Sequence, residues 1–353
     1  LESTPDEQIP KQLVFCDARC VYRPNWPGHH TCGPVGWDLA SKPVPQLNTT
    51  GVCGNPYNQE GISTIPQMHL EKAAFDAAAT GTNIDVPGVG RAYLPGAMAA
   101  YDAAESGKVA LSLWISGFSG STSRFHFENV HEYLVARKEI PYTIAVFVSS
   151  IGLSDSLTAP MMVAKLRSTI LPTLEQRFPK LSKDPRYRVI AGQSTAGGNA
   201  FDIAWLGTDI IAKAIGGSPS VVCFTCMGGL NGCMPGAPGC ENINDAYKVE
   251  VNFCPARAIR WSATVGTCDI YPSLSERIAA GCGADTGAGA VDASQCGGNW
   301  LKANRDLHAA LKAKGTPAQL FEITGGGHIH EVWGVYAMPW QLRWIFKDIT
   351  CAQ

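Results

Sequence analysis

From about residue 109 onward, short apolar runs punctuate the chain, and each gives way to Gly or Ser soon after its end. Val109 to Ile115, Tyr142 to Val148, Tyr187 to Ile190, Ile259 to Val265 and Ala318 to Ile323 are rich in β-branched and aromatic residues. Continuous rather than alternating apolar character at this length predicts strands covered on both faces. Between these runs the spacing changes. Val163, Leu166, Ile170 and Leu174 recur at helical intervals, as do Trp300, Ala303, Leu307 and Leu311, and Val332 to Ile349 reads as a closing helix. Pro172 and Pro339 should kink or restart two of these helices. Strands alternating with helices predict an α/β protein with a mostly parallel central sheet and helices on both faces. Such sheets place their chemistry beyond the carboxyl ends of the strands.

The first 65 residues show neither period. They are rich in Pro, Gly, Asn and Cys, and include Pro24-Asn25-Trp26-Pro27-Gly28. The expectation is a disulfide-tied N-terminal extension over residues 1–65, packed on a main domain over 66–353, with Cys-rich insertions at about 223–254 and 270–298. The chain holds 13 cysteines, an unusual load for a reducing compartment, so an oxidising, extracellular or periplasmic location is expected. It begins at Leu1 without a methionine, and no apolar run approaches the roughly 18 residues of a membrane span, which reads as a mature, soluble, secreted protein. Asn48-Thr49-Thr50 is an N-glycosylation acceptor pattern. The odd cysteine count leaves at least one thiol free or joined to another molecule.

A formal net charge of −2 removes the electrostatic case for a nucleic-acid partner or an anionic membrane surface. The oligomeric state is not set by the sequence. Cys223-Phe224-Thr225-Cys226 with Cys233 and Cys240 has thiolate spacing that suits zinc, but among so many cysteines disulfides are the simpler reading. His29-His30, beside Cys32, is read as an exposed pair on a Pro-Gly turn. No metal and no cofactor is expected.

One run carries chemistry. Arg188-Val189-Ile190-Ala191-Gly192-Gln193-Ser194-Thr195-Ala196-Gly197-Gly198 is an apolar strand entering a turn of small residues, followed by the helical pattern of Phe201 to Trp205. A strand, a tight turn and a helix are the context in which a G-x-S-x-G-like match projects a serine hydroxyl as nucleophile. The competing reading is a serine that only caps the helix. A serine hydroxyl needs a neutral imidazole to take its proton. His328, in Gly325-Gly326-Gly327-His328 just beyond Ile323, is the candidate base, with His330 in reserve. Asp269 follows Trp261 to Val265 through Gly266-Thr267-Cys268 and is the candidate acid, Asp285 and Asp292 being its rivals. The chain order Ser, Asp, His is the one this strand–turn–helix arrangement uses. Trp114-Ile115-Ser116-Gly117-Phe118 ends an early strand, so the amides of Phe118 and Thr195 are candidate oxyanion donors. Arg124 and His126 are candidates for the pocket mouth.

Together these residues resemble the esterase D and enterochelin esterase group of the α/β-hydrolases, which includes feruloyl esterases. The resemblance spans about Val109 to Phe346. It is carried by Asp184-Pro185-Arg186-Tyr187-Arg188-Val189-Ile190-Ala191-Gly192-Gln193-Ser194, by Val265-Gly266-Thr267-Cys268-Asp269, by Asn299-Trp300-Leu301-Lys302-Ala303-Asn304, and by Gly326-Gly327-His328 with Trp333. It implies the α/β-hydrolase fold, the triad Ser194, Asp269 and His328, and acyl chemistry without fixing a substrate; Trp333 is a candidate substrate contact, and the expected extracellular location favours a small-molecule or polysaccharide-linked ester. The group also contains siderophore esterases, acetyl esterases, S-formylglutathione hydrolases and mycolyl transferases. An acyltransferase with the same triad, or a binding protein on the same scaffold, is therefore the alternative. The sequence departs from the pattern at Ser116, where a His-Gly pair would have histidine, and at Ala196, which replaces a glycine; the Cys-rich loops from Cys223 to Cys254 look additional.

Overall fold

The computed structural model describes residues 80–115, 127–149, 159–221, 256–266, 269, 279, 299–323 and 331–349. The 1–65 extension, both Cys-rich insertions and all 13 cysteines lie outside the described residues.

Eight strands form one sheet in the order β1-β2-β4-β3-β5-β6-β7-β8. The strands are β1 (Thr82–Val86), β2 (Gly90–Leu94), β3 (Ala110–Trp114), β4 (Thr143–Val148), β5 (Arg188–Gln193), β6 (Lys213–Gly217), β7 (Arg260–Gly266) and β8 (Ala318–Ile323). β1 and β2 form an antiparallel hairpin, β2 runs antiparallel to β4, and every pair from β4 through to β8 is parallel. The five apolar runs correspond to β3, β4, β5, β7 and β8.

Because side chains alternate across a strand, each central strand serves two cores. Leu111, Leu113, Ile144, Val146 and Ile190 face one cluster, while Ala110, Trp114, Ala145, Phe147, Val189 and Ala191 face the other. On the first face lie α3 (Ala159–Lys165), α4 (Leu171–Arg177), α5 (Thr195–Leu206) and α6 (Trp300–Ala313), through residues such as Met162, Leu174, Phe201 and Trp300. The earlier α1 (Ala97–Ala103) adds Tyr101 to this face. On the second face, α2 (Phe127–Ala136) and α7 (Glu331–Phe346) contribute Val130, Leu134, Met338, Leu342 and Ile345. Both faces are therefore covered, which is why the strands read as mainly apolar rather than alternating runs.

The prolines act differently. A π-helical turn over Leu166–Ile170 follows α3 and runs directly into α4, and Pro172 stands in the first turn of α4, immediately after that irregularity. Pro339 lies inside α7 without ending it.

Candidate active site

At the carboxyl end of β5 the chain must reverse into α5 within one residue. Ser194 is that residue, with φ +56° and ψ −126°. A non-glycine side chain at positive φ is strained, and the surrounding structure must hold it there. Four backbone hydrogen bonds do so. The Ser194 amide donates to the Gly217 carbonyl at 2.9 Å, and the Ser194 carbonyl accepts from the amides of Gly197 at 2.9 Å, Gly198 at 3.2 Å and Ser220 at 2.9 Å.

The surrounding sequence is small for steric reasons. A Cβ on Gly192 would stand 2.1 Å from the Ala196 carbonyl oxygen, and one on Gly197 would stand 2.8 Å from Pro219 Cβ. Ala196 itself fits, buried in the core. The glycine that the motif needs for close approach to its neighbour is thus Gly197, one position further on than in G-x-S-x-G.

Ser194 occupies the position of a helix cap, yet its side chain makes no capping hydrogen bond, and its backbone is not the extended one that capping serines adopt. Its surroundings on the strand and helix are buried, whereas Gln193, Ser194 and Thr195 are partly exposed. The turn lifts a hydroxyl to the sheet edge. Thr195 is the first residue of α5, at the end of the helix where the dipole favours negative charge.

Two strands across, β7 ends at Gly266 and Asp269 follows, fully buried. Its amide donates to the Gly266 carbonyl at 3.2 Å, and its Oδ2 accepts a short hydrogen bond from Ser218 Oγ. Ser218 is also fully buried and at positive φ, +47°. It belongs to the stretch Gly217-Ser218-Pro219-Ser220, which begins at the last residue of β6 and serves as the connector beyond it, so four consecutive residues touch both Ser194 and Asp269. Sequence reasoning missed Gly217, Ser218 and Ser220. The signal was present in Gly216-Gly217-Ser218-Pro219, a small-residue turn of the kind that follows the other strands, but the strand before it was not recognised.

His328 and His330 lie outside the described residues, as do Phe118, Arg124, His126, Asp285 and Asp292; Trp333 falls on α7, but its side chain lies outside the description. β8 ends at Ile323, beside β7 on the same carboxyl edge, and the His328 segment follows from there. Among the described residues no group of three or more His, Cys, Asp or Glu is arranged to hold a metal ion.

A cavity of about 930 Å³ is lined by Lys108, Glu132, Tyr142, Arg186, Tyr187 and Asp348 among others. Lys108, Tyr142 and Tyr187 precede β3, β4 and β5, so it opens at the amino end of the sheet, about 20 Å from Ser194 at the rise of a six-residue strand. It is remote from Ser194 and Asp269.

A mostly parallel sheet, a strained serine between a central strand and a helix, and a buried aspartate beyond a later strand together fit the α/β-hydrolase fold. No protein-family model and no curated protein matches the sequence. Solved structures do. A ferulic acid esterase aligns at 16% identity and a TM-score of 0.48, over 73% of this chain and 91% of that one. The enterobactin esterase FES from Shigella flexneri, in the presence of enterobactin, aligns at 15% identity and 0.49, over 77% of this chain and 59% of that one. A feruloyl esterase module from Clostridium thermocellum, complexed with sinapinate, aligns at 12% identity and 0.48, over 78% and 89%.

Proposed function

We propose that the chain is a secreted serine esterase that hydrolyses a carboxylic ester through Ser194, His328 and Asp269. The observation that carries this reading is the conformation of Ser194, a serine kept at positive φ with its hydroxyl not used as a helix cap. A structural serine has no reason to hold that strain.

In the proposed reaction His328 accepts the Ser194 proton as Oγ attacks the ester carbonyl, and Asp269 orients the imidazole and stabilises its charged form. The amides of Thr195 and Phe118 hold the developing oxyanion. The alcohol departs with the proton from His328, and water, activated by the same histidine, releases the acid from Ser194. Thirteen cysteines and the Asn48 acceptor site support an extracellular setting, and the favoured substrates are carbohydrate-linked or feruloyl-type esters.

Reaction with a fluorophosphonate probe, followed by peptide mass mapping, tests the reading. The expected result is one labelled residue, Ser194, and no labelling of Ser194→Ala. A folded protein that takes no label, or takes it elsewhere, overturns the assignment.

A further inference from the structure

We propose that Ser218 is a positioning residue for the acid of this site, and that the connector from Gly217 to Ser220 sets the acid and the nucleophile against each other as one rigid piece. The inference rests on the reading of Ser194, Asp269 and His328 just given.

The connector binds the elbow from both sides. Its Gly217 carbonyl accepts from the Ser194 amide, and its Ser220 amide donates to the Ser194 carbonyl, both at 2.9 Å. Between those two contacts, the Ser218 amide donates to the Thr264 carbonyl of β7 at 2.7 Å, and the Ser218 hydroxyl donates to Asp269 Oδ2. A third support comes from α6, where Asn304 Nδ2 donates to the Pro219 carbonyl at 3.2 Å and to the Trp300 carbonyl at 2.9 Å. Asn304 lies in the Asn299 to Asn304 stretch of the sequence, whose role at the site was otherwise open.

A buried carboxylate is free to rotate about its Cβ–Cγ bond unless a donor fixes it. The Ser218 hydroxyl, itself immobilised by burial and by the backbone bond to β7, supplies such a donor. Fixing that rotation fixes the direction in which the carboxylate lone pairs meet the imidazole, and hence the tautomer and tilt of the base. Serine at φ +47° is otherwise a poor choice. Glycine or asparagine would suit the backbone better, so the side chain is retained against local preference, as strained residues at functional sites are.

Ser218→Gly makes the test independent of folding, since it removes the hydroxyl while suiting the positive φ; Ser218→Ala keeps the Cβ as a control. Both variants are expected to keep the wild-type KM while kcat falls by about tenfold to a hundredfold, the scale of a misplaced catalytic group. In both, the acid limb of the kcat/KM profile should move from its wild-type position. Adding Ser218→Ala to Asp269→Ala should cost nothing more, because the serine acts through the aspartate. Wild-type kcat and pH profile in both single variants, or full additivity with Asp269→Ala, would overturn the proposal while leaving the triad intact. Wild-type activity in Asp269→Ala would overturn the triad and the proposal together.

Discussion

The α-carbon of Gly192 faces the carbonyl oxygen of Ala196 so closely that an added Cβ would stand 2.1 Å from it, and 2.8 Å from the Gly197 nitrogen. Strand β5 and the first turn of α5 thus share a gap that no side chain enters. Both contacts are backbone, so neither yields by rotating a side chain. Gly192→Ala is expected to destabilise the fold by about 3 kcal/mol, the upper range of core overpacking, with thermal or urea unfolding as the measurement. An unchanged midpoint would mean that the elbow is looser than described.

Lys213 is a second buried point of tension. Its side chain is 1% exposed, its ammonium lies 2.6 Å from Asp348 and 5.0 Å from the centre of the Phe346 ring. Burial pushes its pKa down to about 8 despite the opposing pull of Asp348. Asp348→Asn leaves a buried cation without its partner and should cost about 3 kcal/mol at neutral pH. The loss should shrink near pH 10, where Lys213 is neutral in the folded chain. Urea unfolding at the two pH values reads this directly; equal losses would show that the ion pair is not what holds the end of α7.

His131 sets an acid limit on stability. Its ring is fully buried, donates from Nδ1 to the Phe127 carbonyl at 2.8 Å, and meets Trp114 edge-on. Burial lowers its pKa to about 4 from an ordinary value of 6.5, and burial does the same to His308. Between pH 6.5 and 4 the unfolded chain binds protons that the folded chain refuses, so stability is complete above this window and drains away as pH falls through it. Each histidine accounts for about 3 kcal/mol. His131→Gln should flatten the unfolding free energy across that range, and an unaltered slope would refute the assignment.

Activity should follow a different histidine. With His328 as the base, kcat/KM rises as pH passes upward through the pKa of that imidazole and then levels in mild alkali. His328→Ala should abolish turnover by several orders of magnitude, whereas His330→Ala should retain most of it. The reverse pattern would transfer the role to His330.

How far the fold was legible follows from how each strand is buried. β3, β4, β5, β7 and β8 are predominantly apolar because helices cover both faces of the sheet, and the sequence displays this despite single polar residues such as Ser112, Ser262 and Glu322. β6 is equally central, but it reads Lys213-Ala214-Ile215-Gly216-Gly217. Its lysine is acceptable only because Phe346 at the end of α7 and Asp348 just beyond it receive it, and Gly216 is required because the Trp261 ring would come within 2.5 Å of a Cβ there. Both conditions are tertiary. β1, at the edge, and β2, beside it, are short strands with Asp85 and Arg91 among their residues, too brief for a period to emerge. That Ser194 and Asp269 stand beyond the carboxyl ends of β5 and β7 was legible from the strand pattern. The Ser218 contact was not, since it depends on a strand whose own signal was masked by glycine and lysine.

In the proposed reading, the positive φ of Ser194 makes the nucleophile one of the least comfortable residues in the chain. Ser194→Gly would relax the turn and abolish the nucleophile in the same step, so the inactive chain should melt later than the active one. Selection for heat resistance alone would then discard the activity at this very position, and only a selection that also demands turnover would keep the serine in place.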